Sequence, residues 1–308
     1  MHDIPYPVRP GKPVIYSVRH GESIGNEHRD SEDFDIYSHV SDPALWLTEK
    51  GQQQARDAGD FLGQHFLEMP PHARPQKIRF LRSSYVRARQ TAENIEAAVR
   101  AALPDLDISV LEDERLRELE FGYGGYLDKP FEPHVRLSNQ LRYQGYKYLA
   151  PRLGGESPAS MEPRVRSVLT AIFRDFQENG ITHFVVVNHG ITSRVLTKAF
   201  CKFRNDWYER EDNPDNCAIR LLAEGGDHGY IFPNTKGQWD PKWEPEPSDA
   251  GHAKLNKHGH FLSPEEMEML IEAQQDYPTI LKHYIEARKT DKVSSTSKLI
   301  RSLTQLYT

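Results

Sequence analysis

The chain has 308 residues, with 39 Lys+Arg against 45 Asp+Glu, a formal charge of −6. With 37% hydrophobic and 27% charged residues it has the means to bury a sizeable core, which excludes a disordered polymer. The acidic balance excludes broad electrostatic capture of nucleic acid, and no apolar run reaches the roughly 18 residues that would span a bilayer.

In chain order, residues 1–12 are a proline-punctuated lead-in without an apolar segment of the kind that directs secretion. Val14 to Val18 is a short apolar run that stops at Arg19-His20-Gly21-Glu22, the pattern of a buried strand entering a loop. The polar stretch from Asn26 to Leu45 has no periodicity. From Thr48, Ala55, Ala58, Phe61, Leu62 and Phe66 recur at helical spacing. Lys77 to Leu81 reads as a second strand, Arg87 to Leu103 as a helix with Ala92, Ile95, Ala98, Val99 and Ala102 on one face, and Asp107 to Leu111 as a third strand.

The charged turn ERLRELEFGYGG leads into a Tyr- and Arg-rich insertion near 126–152, a candidate lid carrying Arg136, Arg142, Lys147 and Arg152. Pro158 and Pro163 interrupt the approach to a helix that should be best formed from Arg164 to Gln177. Phe184 to Val187 is the most strand-like run and ends at Asn188-His189-Gly190; Thr192 to Phe203 is helical, and Ala218 to Leu222 is a further strand. Beyond about 233 the prolines of PNTKGQWDPKWEPEPSDAGHAK mark a linker. Ser263 to Arg288 then reads as a helix, with Ser263 as cap, Pro264 in the first turn, and Glu265 and Glu266 at the positive end of the dipole.

Strand alternating with helix predicts an α/β fold, a three-layer sandwich around a mainly parallel central sheet. The expected division is a domain over 11–235 and a linker with a helical C-terminal extension over 236–308. That helix is a candidate homodimer contact or a segment packed on the core. Two cysteines, Cys201 and Cys217, make no disulfide framework and suit a reducing, cytoplasmic setting. No Cys or His spacing suits zinc, so neither metal nor cofactor is expected.

Ligands of open parallel sheets sit outside the carboxyl ends of the strands. Four polar clusters fall there: Arg19-His20, Arg82 to Arg87, Glu118 and His189. Two histidines, two or more arginines and a carboxylate at one edge would make a phosphate site with a nucleophile and a proton donor. His-Gly also occurs at 228–229 and 258–259, but only His20 and His189 follow apolar strand-like runs.

These residues lie in segments that resemble the histidine phosphatase superfamily, in its phosphoglycerate-mutase-like branch. YSVRHGESIGN is similar to its signature, and LTEKGQQQA, SSYVRARQTAENI, GESPASMEPRV and VVVNHGITSRVL are similar to its later blocks in the same order. NPDNCAIRLL resembles the branch, and the similarity covers roughly 13–223. The resemblance implies His20 as nucleophile, with Arg19, Arg87, His189, Asn26 and the backbone N–H of Gly190 around the phosphoryl oxygens. Glu118 would be the proton donor, with Glu120 its competitor in the same turn, and spacing to Gln90-Thr91 favours Arg87 over Arg82. The implied partner is a phosphorylated small-molecule substrate, hydrolysed without metal. The alternatives are a mutase acting on a phosphoglycerate, disfavoured by the apolar Ile191, and an inactive relative that binds phosphorylated ligands or a partner. Ser84 stands where the family has proline, and Asn188 replaces a small residue and is expected near the pocket.

Overall fold

The computed structural model of the protein describes residues 11–27, 40–122, 147–152 and 154–233. Six strands form one sheet in the order β3-β2-β4-β1-β5-β6: β1 Val14–Arg19, β2 Lys77–Arg82, β3 Asp107–Glu112, β4 His183–Asn188, β5 Ile219–Ala223 and β6 Gly226–Tyr230. The first four are parallel, and β5 and β6 run antiparallel at one edge. The helices are α1 Ile24–Glu27, α2 Glu49–Glu68, α3 Val86–Ala102, α4 Pro158–Glu178, α5 Gly190–Cys201 and α6 Asn205–Arg210.

All six residues of β4 are buried, because the strand lies between β2 and β1 and is covered on both faces. Its side chains divide by the period of two that a strand imposes. Phe184 and Val186 join Ile15, Leu222 and the apolar faces of α4, α5 and α6, including Val165, Ile172, Val195 and Trp207. Val185 and Val187 join Tyr16, Val18, Phe80, Ile219 and the faces of α2 and α3, including Ala55, Leu62, Ala92 and Ile95. These are the three layers expected from the alternating pattern.

One local expectation needs correction, and two elements have no counterpart in the sequence pattern. Helix α4 begins at Pro158, six residues before Arg164, because proline at the first helical position forfeits only an N–H that would have no helical partner. Ser157 and Ser160 close a capping box there, and Pro163 is accommodated inside the helix. Strand β6 carries no apolar alternation, yet it pairs with β5. The short α6 was likewise unannounced, and it buries Trp207 and Tyr208. Of the lid expected at 126–152, only 147–152 fall among the described residues; the extension from 236, with its 263–288 helix, lies outside them. Among the described residues no helix is long and apolar enough to cross a membrane.

Strands β1, β2 and β4 all end at the same edge, since Arg19 is in register with Asn188 and Arg82 with Val187. The residues that follow each strand are therefore delivered to one place.

Candidate active site

His20 follows β1 directly and is 4% exposed. Its Nδ1 is 2.7 Å from the Gly21 carbonyl, which can only accept, so Nδ1 carries the proton. Arg87 Nε–H, which can only donate, lies 3.2 Å from Nε2. The two contacts together leave the Nε2 lone pair facing the guanidinium.

The loop carrying His20 is held from several sides. The Gly21 N–H donates to Thr91 Oγ1 at 3.0 Å, and the Glu22 N–H donates to Gln54 Oε1 at 2.8 Å. A side chain at Gly51 has no room, because its Cβ would lie 1.9 Å from the Glu22 carbonyl oxygen. The packing of α2 against this loop thus requires glycine there. The Q-T-A and E-K-G-Q-Q-Q segments around it serve to fix the histidine's backbone.

His189 follows β4 and is fully buried, with its ring centroid 5.2 Å from that of His20. Ser83 Oγ accepts from the Tyr85 N–H at 3.3 Å and shares a hydrogen bond with His189 Nε2 at 2.9 Å. In the tautomer in which the Ser83 hydroxyl donates to Nε2, the imidazole proton sits on Nδ1, a buried atom with no hydrogen-bond partner among the described residues. Burial holds the His189 pKa well below the ordinary histidine value, and the charges of Arg87, His20, Arg19 and Arg164 act in the same direction. The result is a neutral N–H donor with no acceptor, a group that an incoming oxygen would satisfy.

Arg87 opens the first turn of α3 and is 4% exposed. Besides His20 it donates through Nη1 to the Asp42 carbonyl at 2.6 Å and through Nη2 to the Asp42 carboxylate at 3.2 Å. Arg19, at the end of β1, donates to the Pro214 carbonyl. Asn26 Oδ1 accepts from Asn216 Nδ2 at 3.1 Å, and the same Asn216 amide reaches the His20 carbonyl at 3.0 Å.

Glu118 is 7% exposed, whereas Glu120 in the same turn is open to solvent. The Glu118 carboxylate accepts from the backbone N–H groups of Leu119 at 2.9 Å and of Ile191 and Thr192 at 3.3 Å, and from Thr192 Oγ1 at 3.2 Å. It therefore sits on the N-terminus of α5, next to the residue on which the Gly190 expectation rested. Arg164 grips the Arg115, Arg117 and Glu118 carbonyls and Glu156, which sets the backbone of this turn.

His20, His189, Arg87 and Glu118 are thus grouped around β1, β4 and the start of α5, with Arg19 and Asn26 bordering them. Arg82 turns away to Glu93 and Glu112. Asn188 donates through its amide to Ser17 and to the Val186 carbonyl, and its buried Oδ1 has no hydrogen-bond partner among the described residues. Reading the sequence missed Ser83, Asn216, Arg164 and Asp42. The first three lie within quoted motifs, so a motif-by-motif search for polar partners would find them; Asp42 lies in a stretch with no pattern. Among the described residues no group of three or more His, Cys, Asp or Glu is placed to hold a metal ion.

Comparison with known proteins gives the family and the fold. A family model described as the histidine phosphatase superfamily, branch 1, matches residues 15–232. Phosphoglycerate mutase-like protein AT74 of Arabidopsis thaliana is 29% identical over 255 residues, covering 80% of this chain and 76% of that protein. The AT74H protein of the same plant, described in the same words, is 30% identical over 227 residues, covering 71% and 76%. Among solved structures, a mycobacterial glucosyl-3-phosphoglycerate phosphatase with inorganic phosphate is similar with a TM-score of 0.52 at 20% identity, covering 74% of this chain and all of that one. Bacillus stearothermophilus YhfR has a TM-score of 0.50 at 22% identity, covering 70% and 95%. At these identities the solved structures show a shared fold.

Proposed function

The chain belongs to the histidine phosphatase superfamily, branch 1, and from that premise we propose that it hydrolyses a phosphorylated small molecule through a phosphohistidine on His20. The observation that carries this reading is the placement of the His20 Nε2 lone pair against Arg87, 5.2 Å in ring separation from a second, neutral histidine. A lone pair is what in-line attack on phosphorus requires, and splitting one displacement into two lowers each barrier.

In the first step His20 Nε2 bonds to phosphorus as the bond to the leaving oxygen breaks. Glu118, in its protonated form, gives that oxygen its proton. In the second step water attacks phosphorus and yields a proton to the Glu118 carboxylate, which frees orthophosphate and His20. Arg19 and Arg87 supply positive charge to the equatorial oxygens, the unpartnered His189 Nδ1–H supplies a buried donor, and Asn26 adds a neutral one. This scheme draws on protein groups alone. The two free cysteines are consistent with a cytoplasmic protein.

The relatives' names raise a mutase as the second reading, and the solved neighbour's name raises a phosphatase. Ile191 favours hydrolysis: it is apolar and packed in the core, and its N–H is already held by Glu118. The deciding assay measures orthophosphate release beside isomerisation of 3-phosphoglycerate, on alkyl and aryl phosphates, for the wild type and Glu118→Gln. The proposal expects release to dominate, and expects Glu118→Gln to slow alkyl esters by about 10²-fold while largely sparing aryl esters that need no acid. Isomerisation without release would make the protein a mutase. Equal losses on both ester types would remove Glu118 from the acid role.

A further inference from the structure

We propose that Asp42 is a positioning residue that holds Arg87 over His20 and keeps the site's grip on orthophosphate weak enough for product to leave. This deepens the phosphatase reading and rests on it. The observation is that the phosphate-binding arginine is not free. Of its five N–H donors, one on Nη1 and one on Nη2 go to the carbonyl and the carboxylate of one residue, Asp42, and that on Nε goes to the nucleophile itself. Both Asp42 carboxylate oxygens lie 3.2 Å from Nη2.

Two consequences follow. The lone pair that must attack phosphorus is occupied by the Arg87 Nε–H, so a phosphoryl oxygen has to take over that N–H before attack. The guanidinium nevertheless keeps its place during the exchange, because its other edge stays anchored on Asp42. That anchor is itself well supported. Asp42 opens a short 3-10 turn with Pro43, which follows the extended residue Ser41, and the Arg87 N–H donates to the Leu45 carbonyl at 3.1 Å at the end of the same turn.

The second consequence is electrostatic. Asp42 places a negative charge against the cation that receives the phosphoryl group, in a pocket where Arg87 is almost wholly buried. It therefore weakens the binding of any phosphate anion in the ground state, and of the free orthophosphate product most directly. An enzyme whose phosphate-binding arginine lacked such a counter-ion would hold its product longer.

Two variants separate charge from position. Asp42→Asn keeps an oxygen for Arg87 Nη2 and removes the charge; Asp42→Ala removes both. The measurements are the inhibition constant of orthophosphate against an aryl phosphate, with KM and kcat from the same runs. In Asp42→Asn the orthophosphate inhibition constant and KM should both fall about fivefold, and kcat should fall as release becomes limiting, with a burst of the aryl product. In Asp42→Ala the inhibition constant should fall as well, but kcat/KM should also drop because Arg87 is no longer oriented. A purely structural role would lower kcat without tightening orthophosphate. If neither variant tightens orthophosphate while the wild type turns over normally, the role given to Asp42 is wrong and the phosphatase reading stands. If the wild type neither binds orthophosphate nor releases it from any ester, the phosphatase reading itself falls.

Discussion

Two arginines of this protein are equally buried and have opposite fates. Arg220, on β5, is 3% exposed and is enclosed by carboxylates: Glu211 Oε1 at 2.6 Å on one edge, and Asp227 on the other, with Nε–Oδ1 at 2.9 Å. Its plane also lies over the rings of Trp207 and Tyr230. Arg87 is 4% exposed, but it meets one carboxylate, one carbonyl and one imidazole nitrogen. A planar, permanently charged fork with two carboxylates is complete. One that leans on a neutral histidine has a donor it can exchange for a phosphoryl oxygen. Burial alone therefore does not separate these two arginines; what differs is that Arg220 meets two carboxylates and Arg87 one carboxylate and a neutral imidazole nitrogen.

The largest effects should come from exchanging the two roles. Arg87→Ala is expected to lower kcat/KM on an aryl phosphate by about 10²- to 10³-fold, with a stability change near or below about 1 kcal/mol, since Asp42 is left partly exposed to water. Arg220→Met is expected to do the reverse, costing about 3 to 5 kcal/mol because Glu211 and Asp227 lose their buried counter-ion, while kcat changes little in the fraction that stays folded. Urea unfolding and steady-state kinetics on both variants check this. A stability loss in Arg87→Ala as large as that in Arg220→Met would erase the distinction.

A smaller effect extends the comparison to histidines. His183, at the opposite end of β4 from His189, is buried with its ring stacked on Tyr16, and burial lowers its pKa to about 3. Its folded-state value lies below the ordinary 6.5, so the unfolded chain binds a proton first as pH falls. The stability that depends on its neutral form is complete above about pH 6.5 and is lost progressively towards pH 3. Between pH 7 and pH 5 this one group should remove about 2 kcal/mol. His65, lowered in the same direction by burial, adds to it. Urea midpoints at the two pH values should differ less in His183→Asn than in the wild type. An unchanged difference would show that another group carries the acid sensitivity.

Much of the framework was legible because its signals are local. β4 is apolar from Phe184 to Val187, β1 ends abruptly at Arg19-His20-Gly21-Glu22, and the α2 and α3 faces repeat at helical spacing, so the strand ends line up from the sequence alone. The rest depended on partners distant in sequence. Gly226 and Gly229 on β6 adopt positive φ and the strand has no apolar stripe; what ties it to the sheet includes the ion pair from Arg220 to Asp227. Asp42 reads as one more polar residue until α3 brings Arg87 to it across 45 positions. Ser83 had no visible role because its partner, His189, lies 106 residues away.

The central claim is that His20 takes phosphorus covalently. Rapid acid-free quenching of the enzyme during turnover of an aryl phosphate, followed by mass mapping of the phosphorylated peptide, tests it directly. The account predicts an acid-labile phosphate on His20 that forms and decays within the turnover time and is absent from His20→Ala. Turnover that proceeds at the same rate in His20→Ala, or phosphate trapped on a different residue, would contradict it.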